Sequence, residues 1–296
     1  MWMDVKKNSL KSNNHNFLLI GDSRAKAGFK PNSFDTNNIN SINLAIGGAT
    51  PIEGFYTLKR YLDNNRPKYL LLSYGPFHLE RQDTYWNRTV KFDYLGIFNN
   101  IKVTKYAKEL NEYKLLNRGN KFKQHHFYSY LNYRYNPFTY LPEFKATLFN
   151  KKLNRKTQNK KVLAVLKESK GHYFFGRKKV CHGLNSESKS KRKFKISKLL
   201  ELYLIKIIEL AKIYNIEVYY YTMPFNQTSY KKTSNLYKTS YDIYFNNLST
   251  KYSIKILNKL YYLDDTNFGD VSHLYHGADI VTNDIKDKFI NKLKQH

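Results

Sequence analysis

A single cysteine stands among the 296 residues. No internal disulfide can form and no cysteine-rich zinc site is possible. Compartment is left open, since a reducing cytosol and a disulfide-free periplasm both allow one thiol. No run of 18 or more apolar residues occurs, which excludes a transmembrane helix as the sequence reads. The opening Met1-Trp2-Met3-Asp4-Val5-Lys6-Lys7 has neither the apolar stretch nor the small-residue cleavage site of a signal peptide. The expectation is a cytoplasmic protein, or an envelope-facing one if an N-terminal anchor has been removed. Acidic side chains are scarce too, 23 against 51 basic, for a formal net charge of +28. Residues 101–200 hold 26 basic and 5 acidic residues, so most of the excess belongs to the middle third. It is either the solvated surface of a Lys-, Asn- and Tyr-rich chain, or a surface facing anions such as acidic polysaccharide or lipid headgroups. No helix-turn-helix, zinc-finger or RRM signature accompanies it, so no specific nucleic-acid partner is expected.

What is present suffices for a core, with 41% apolar and 16% aromatic residues. Phe17-Leu18-Leu19-Ile20, Ile42-Asn43-Leu44-Ala45-Ile46 and Tyr69-Leu70-Leu71-Leu72-Ser73-Tyr74 read as buried strands. Pro51 opens a helical spacing that runs to about Asn65. Strand, helix, strand with short connections is the unit of a parallel sheet. Regularity stops from about Phe77 to Lys195 and then resumes. Ile196–Tyr214 is amphipathic, Ile216–Thr222 a strand, Ser229–Thr250 helical, Ile254–Leu257 a short strand and Ala278–Lys294 a closing helix. Residues 151–195, with basic clusters such as Arg177-Lys178-Lys179, are expected to form a mobile segment.

The first strand delivers Gly21-Asp22-Ser23-Arg24. A serine at the C-terminal end of a parallel strand, opening a helix, lies where such sheets bind ligands. An ordinary helix cap explains the same residues. Far along the chain, Asp270-Val271-Ser272-His273 places an acid three residues before a histidine. A nucleophilic serine needs a base, and the base needs an orienting carboxylate. His276 competes as the base but has no carboxylate three residues before it. Arg24 could hold a substrate carboxylate or phosphate, or be a helix-surface cation. His125-His126 and His172 lack metal-ligand spacing and are expected on the surface or a lid. The adjacent Cys181-His182 pair points opposite ways if extended.

Together, Gly21-Asp22-Ser23, Asn43-Leu44-Ala45-Ile46-Gly47-Gly48 and Asp270-Val271-Ser272-His273-Leu274 resemble the blocks of the SGNH (GDSL-like) hydrolase superfamily. More narrowly, the chain resembles the bacterial envelope proteins that transfer acyl groups to polysaccharides and teichoic acids. The resemblance covers residues 17–76 and 196–290. It implies a three-layer α/β/α sandwich with a five-stranded parallel sheet, interrupted by a large, mostly helical insertion. It implies Ser23 as nucleophile, His273 as base and Asp270 as its orienter, with the Ser23 and Gly48 amides as an oxyanion hole. The family's third donor, an Asn after the third strand, is absent. That place reads Ser73-Tyr74-Gly75-Pro76-Phe77-His78, where His78 or Ser73 would have to stand in.

The expected organisation is an α/β domain from 1–76 and 196–296, with 77–195 as a basic, aromatic lid or cap. The expected activity is that of a serine esterase or O-acyltransferase acting on an acyl ester, acetyl above all, of a glycan. No cofactor or metal is called for, and the partner is an acylated glycan or acyl donor. Arg24, His78 and Arg177 are the expected substrate-binding residues, and Tyr128, Tyr130, Tyr133, Tyr135, Phe138 and Tyr140 the expected sugar-stacking aromatics. The rival expectation is a catalytically weak SGNH domain that binds an anionic glycan or a membrane surface. The sequence leaves the oligomeric state open.

Overall fold

Five apolar runs become five parallel strands in the computed structural model, which describes residues 1–116, 126–136, 138, 141, 145, 148–149, 154–175 and 191–293. They are β1 (Phe17–Gly21), β2 (Ser41–Asn43), β3 (Tyr69–Ser73), β4 (Glu217–Tyr220) and β5 (Lys255–Ile256), in the spatial order β2-β1-β3-β4-β5. β1 pairs with β3 along its whole length, from Phe17 opposite Tyr69 to Gly21 opposite Ser73. This is the doubly wound order, and its direction of winding reverses between β1 and β3. A short parallel ladder, Phe225–Asn226 with Tyr262–Leu263, stands apart from the sheet.

The strands read as continuous apolar runs because both faces are buried. Leu18, Ile20, Leu70, Leu72, Val218 and Tyr220 belong to one core cluster. Phe17, Leu19, Leu71, Tyr219 and Tyr221 belong to the other. Helices Pro51–Asn64, Lys198–Ile213 and Asn235–Tyr252 cover the first face, and Ser23–Gly28 and Gly277–Leu293 the second. The fold is thus α/β, with helices on both faces of a five-stranded parallel sheet. In Lys198–Ile213 the buried residues are Leu199, Leu200, Tyr203, Leu204, Ile207, Ile208 and Ala211, which is the apolar stripe of the sequence. Burying each large member is worth about 1.5–3 kcal/mol.

Three elements depart from their sequence outlines. The second strand stops at Asn43, although the Leu44 and Ile46 amides still donate to Leu19 and Gly21 of β1. The helix expected over Ser229–Thr250 breaks at Thr233, and Ser234 caps a second helix through its side chain. The opening residues form a helix, Trp2–Asn8, whose Trp2 and Val5 enter the first core cluster.

The first part of the insertion packs into that same cluster. Leu79, Tyr85, Trp86, Tyr94, Val103 and Leu116 are all members. Its described residues form helices, among them Ile97–Glu109, His126–Tyr135 and Asn154–Glu168, and a π-helical turn at Tyr85–Val90. Of 151–195, where a mobile segment is expected, residues 154–175 and 191–195 are described, and two backbone bonds join them to β2 and to the helix Ser23–Gly28. Lys170 O accepts from the Asn43 amide at 2.9 Å, and the Tyr173 amide donates to Lys26 O at 3.2 Å. No helix among the described residues is long and apolar enough to cross a membrane.

Candidate functional site

The C-terminal ends of β1 and β3 bring the first cluster of polar groups together. Gly21 has no room for a side chain, since a Cβ there would meet Ser73 O at 2.0 Å. Asp22 then caps the helix Ser23–Gly28, its Oδ1 accepting from the Arg24 amide at 2.9 Å and the Ala25 amide at 3.4 Å. Its Oδ2 accepts from the Gly75 amide at 2.7 Å and from His78 Nδ1 at 2.7 Å. Asp22 is fully buried. Burial pushes its carboxyl up, yet the His78 ring, the Gly75 amide and Arg24 outweigh that and hold it below the usual range. Of the two readings of Arg24, substrate-anion holder or helix-surface cation, the second does not hold. The residue is 5% exposed, donates to Pro224 O at 3.3 Å and lies over the Phe225 ring at 4.8 Å. Arg24 also feels the charge of both Asp22 and Asp270.

A second loop follows β2. Asn43 donates to Ala25 O at 3.1 Å and Phe29 O at 3.0 Å, satisfying carbonyls at the end of the Ser23 helix. Gly48 adopts a φ of +77°, in the left-handed region that favours glycine. The Gly48 and Ser23 amides donate to no other group among the described residues.

The third element is the loop before the last helix. Asp270 Oδ1 accepts from the Ser272 and His273 amides, each at 2.8 Å. Both carboxylate oxygens lie within 2.9 Å of His273 Nδ1. Partial burial pushes the Asp270 carboxyl up, and the His273 ring and the two amides bring it below the usual range. An ionised acceptor at Nδ1 fixes the ring and leaves Nε2 as the reactive nitrogen. His273 Nε2 is buried with no hydrogen-bond partner. No hydrogen bond joins it to the Ser23 hydroxyl. Catalytic contacts of this kind are commonly long before substrate arrives. Leu274 packs where a Gly28 Cβ would stand, at 3.0 Å, which sets the loop against the end of the Ser23 helix. His276 is exposed, and its ring meets Tyr275 rather than a carboxylate.

Three residues from 77–195 touch these loops. Thr84 Oγ1 donates to Gly48 O at 2.7 Å and Arg88 Nη1 to Gly47 O at 2.7 Å. Phe175 lies 3.3 Å from the place of a Gly47 Cβ, with its ring 4.7 Å from that of His273. His172, expected on the surface or a lid, is buried rather than on the surface, with Nε2 donating to Ala27 O at 3.0 Å. Of the aromatics, Tyr130 is core and bonds Asp93 at 2.6 Å. Tyr128, Tyr135 and Phe138 are exposed. Arg177, His125, Cys181, His182, Tyr140 and the side chains of His126 and Tyr133 lie outside the described residues and side chains. No group of three or more potential metal ligands occurs among the described residues.

Sequence motifs pointed to Ser23, His273 and Asp270 but not to the Asp22–His78 pair. Ser73, expected with His78 as a candidate donor, is fully buried and its hydroxyl has no partner among the described residues.

Burial drives the His172 ring to a pKa of about 4, against an ordinary 6.5. Between those pH values the unfolded chain binds more protons than the folded one, so stability falls as pH drops through the window. The loss by pH 4.5 should be about 2–3 kcal/mol from this ring. His172→Gln should show a flatter dependence of its urea midpoint between pH 7 and 4.5. Parallel profiles for the two proteins would contradict it.

No protein-family model matches the chain, and no curated protein is significantly similar to it.

Proposed function

We propose that this chain is an SGNH-type serine esterase or O-acyltransferase acting on an acyl ester, acetyl above all, of a glycan. The observation that carries the reading is the His273 ring. It is held through Nδ1 by Asp270, and its Nε2 is buried and unpartnered in a loop packed on the helix that Ser23 opens. Ser23 Oγ attacks the ester carbonyl while Nε2 takes its proton, and Asp270 stabilises the imidazolium. The Ser23 and Gly48 amides receive the oxyanion. One such donor is worth about 10²–10³ in rate. The alcohol leaves with a proton from His273, and water or a sugar hydroxyl then takes the acyl group from Ser23. His78, fixed by Asp22, fills the place of the family's third donor. Bacterial envelope glycans are the substrate setting to which the sequence resemblance points.

A second reading is a catalytically weak domain that binds anionic glycan. The missing hydrogen bond between Ser23 and His273 favours it. A fluorophosphonate probe separates the two. Stoichiometric labelling that disappears in Ser23→Ala supports the enzyme. Labelling that survives in that variant, or none at all, supports the binding domain.

A further inference from the structure

Arg88 reaches the candidate site from the insertion, carried by the π-helical turn Tyr85–Val90. Such turns are rare and occur often at functional sites. This one is tied down on three sides. Thr89 Oγ1 donates to buried Glu53, Tyr85 Oη to Asn100 at 2.6 Å, and Thr84 Oγ1 to Gly48 O at 2.7 Å. Held in this way, Arg88 places its Nη1 2.7 Å from Gly47 O, and 2.7 Å from where a Gly48 Cβ would stand.

That single bond does not account for the guanidinium. Gly47 O already accepts from Trp2 Nε1 at 3.2 Å. A guanidinium carries five N–H donors, and Arg88 spends one of them among the described residues. No carboxylate among the described residues pairs with it, and burial alone acts on its pKa, lowering it. The residue as a whole is exposed, so its remaining N–H groups stay accessible to an incoming anion. A carboxylate or phosphate would accept from two of them at once. Phe175 lies beside Arg88 at the Gly47 Cβ position, at 3.3 Å against 3.7 Å for Arg88 Nη1, and its ring stands 4.7 Å from that of His273. The Phe175 ring therefore stands next to both Arg88 and His273.

We propose that Arg88 is the oxyanion-binding arm of the substrate site, its free fork holding a carboxylate or phosphate that the substrate carries beside the ester. This rests on the acyl-transfer reading of Ser23 and names the substrate class of that site. A planar fork suits both anions, and a lysine would supply only a point charge.

The test compares three acetylated pyranosides alike but for one group: neutral, 6-carboxylate and 6-phosphate. The readout is the kcat/KM ratio of each anionic ester to the neutral one. Arg88→Gln should lower that ratio roughly 10- to 100-fold, the range for hydrogen bonds to charged groups, mainly through KM. Arg88→Lys should fall between. Whichever anion shows the larger drop is the one the arm serves. An unchanged ratio in Arg88→Gln overturns the proposal, and so does an equal loss on all three esters, which would mean only that Arg88 props the Gly47 loop. If the wild type neither turns over an ester nor takes the fluorophosphonate at Ser23, the acyl reading has failed instead. The arm is then judged by calorimetric titration with glucuronate and glucose 6-phosphate. Binding lost in Arg88→Gln supports it. Binding equal in both proteins, or absent from the wild type, overturns it.

Discussion

Ser23→Ala should lower turnover of a small acetyl ester by at least about 10³-fold, His273→Ala should do the same, and the double variant should fall little further. On the proposed mechanism the three effects merge because the groups act as one device. The hydroxyl is a weak nucleophile without a base, and the base has nothing to activate without the hydroxyl. Rate that remains would come from the Ser23 and Gly48 amides and from binding. Asp270→Asn should cost as much or less, since Asp270 orients the ring and moves no proton. Its carboxylate also accepts from the Ser272 and His273 amides, so part of the loss should appear as loosening of the loop. The measurement is kcat/KM for the wild type and all four variants, with far-UV circular dichroism to establish that each is folded. Losses that multiply in the double variant would mean that Ser23 and His273 work independently, and the triad would have to be abandoned.

Asp22→Ala should destabilise the fold by about 3–5 kcal/mol, because it leaves several buried donors unmade at about 1–3 kcal/mol each. Four donors converge on this fully buried carboxylate, the amides of Arg24, Ala25 and Gly75 and the His78 ring. Alanine satisfies none of them, and each buried donor left unmade carries its own penalty. Asp22→Asn keeps an acceptor and should lose less. The sign of the pH dependence follows from the depressed carboxyl. Its contribution is complete above the ordinary carboxylate pKa of about 4 and is lost as pH falls through the lower folded value. The gap between wild type and Asp22→Ala should therefore narrow in strong acid. Urea midpoints at pH 7 decide the matter: a difference below 1 kcal/mol at unchanged slope would show that the carboxylate is not the anchor described.

Much of the sheet and its helices was legible because their signals are local. An apolar run bounded by glycine, or a 3.6-residue stripe as in Lys198–Ile213, can be read within about 20 residues. Ser23 and the Asp270–His273 spacing were legible for the same reason. The Asp22–His78 pair was not, since its members lie 56 positions apart and either alone reads as a cap or a surface group. Lys26 was missed for a different reason. Lysine is almost always exposed, yet this one is fully buried, donates to Ala45 O at 2.8 Å, and is pushed down to about 7 by burial. The insertion looked structureless because its buried aromatics follow no single period. Tyr85, Trp86 and Tyr94 enter the core from a π turn and the residues after it, and sequence patterns carry no template for that geometry. The helix Trp2–Asn8 is too short to show a stripe.

Both tryptophans of the chain have a consequence for how the site can be watched. Trp2 holds the Gly47 carbonyl through its indole N–H, and Trp86 lies two residues before Arg88 in the turn that grips the same loop. Both are almost wholly shielded from water. The protein's entire indole emission thus comes from one ring bonded to the Gly47 carbonyl and one buried in the turn that carries Arg88. Any adjustment of that loop, on acylation of Ser23 or on arrival of an anion at Arg88, should register as a change in intrinsic fluorescence. The unmodified chain is in effect its own optical probe, able to follow binding in real time even where no coloured product is released.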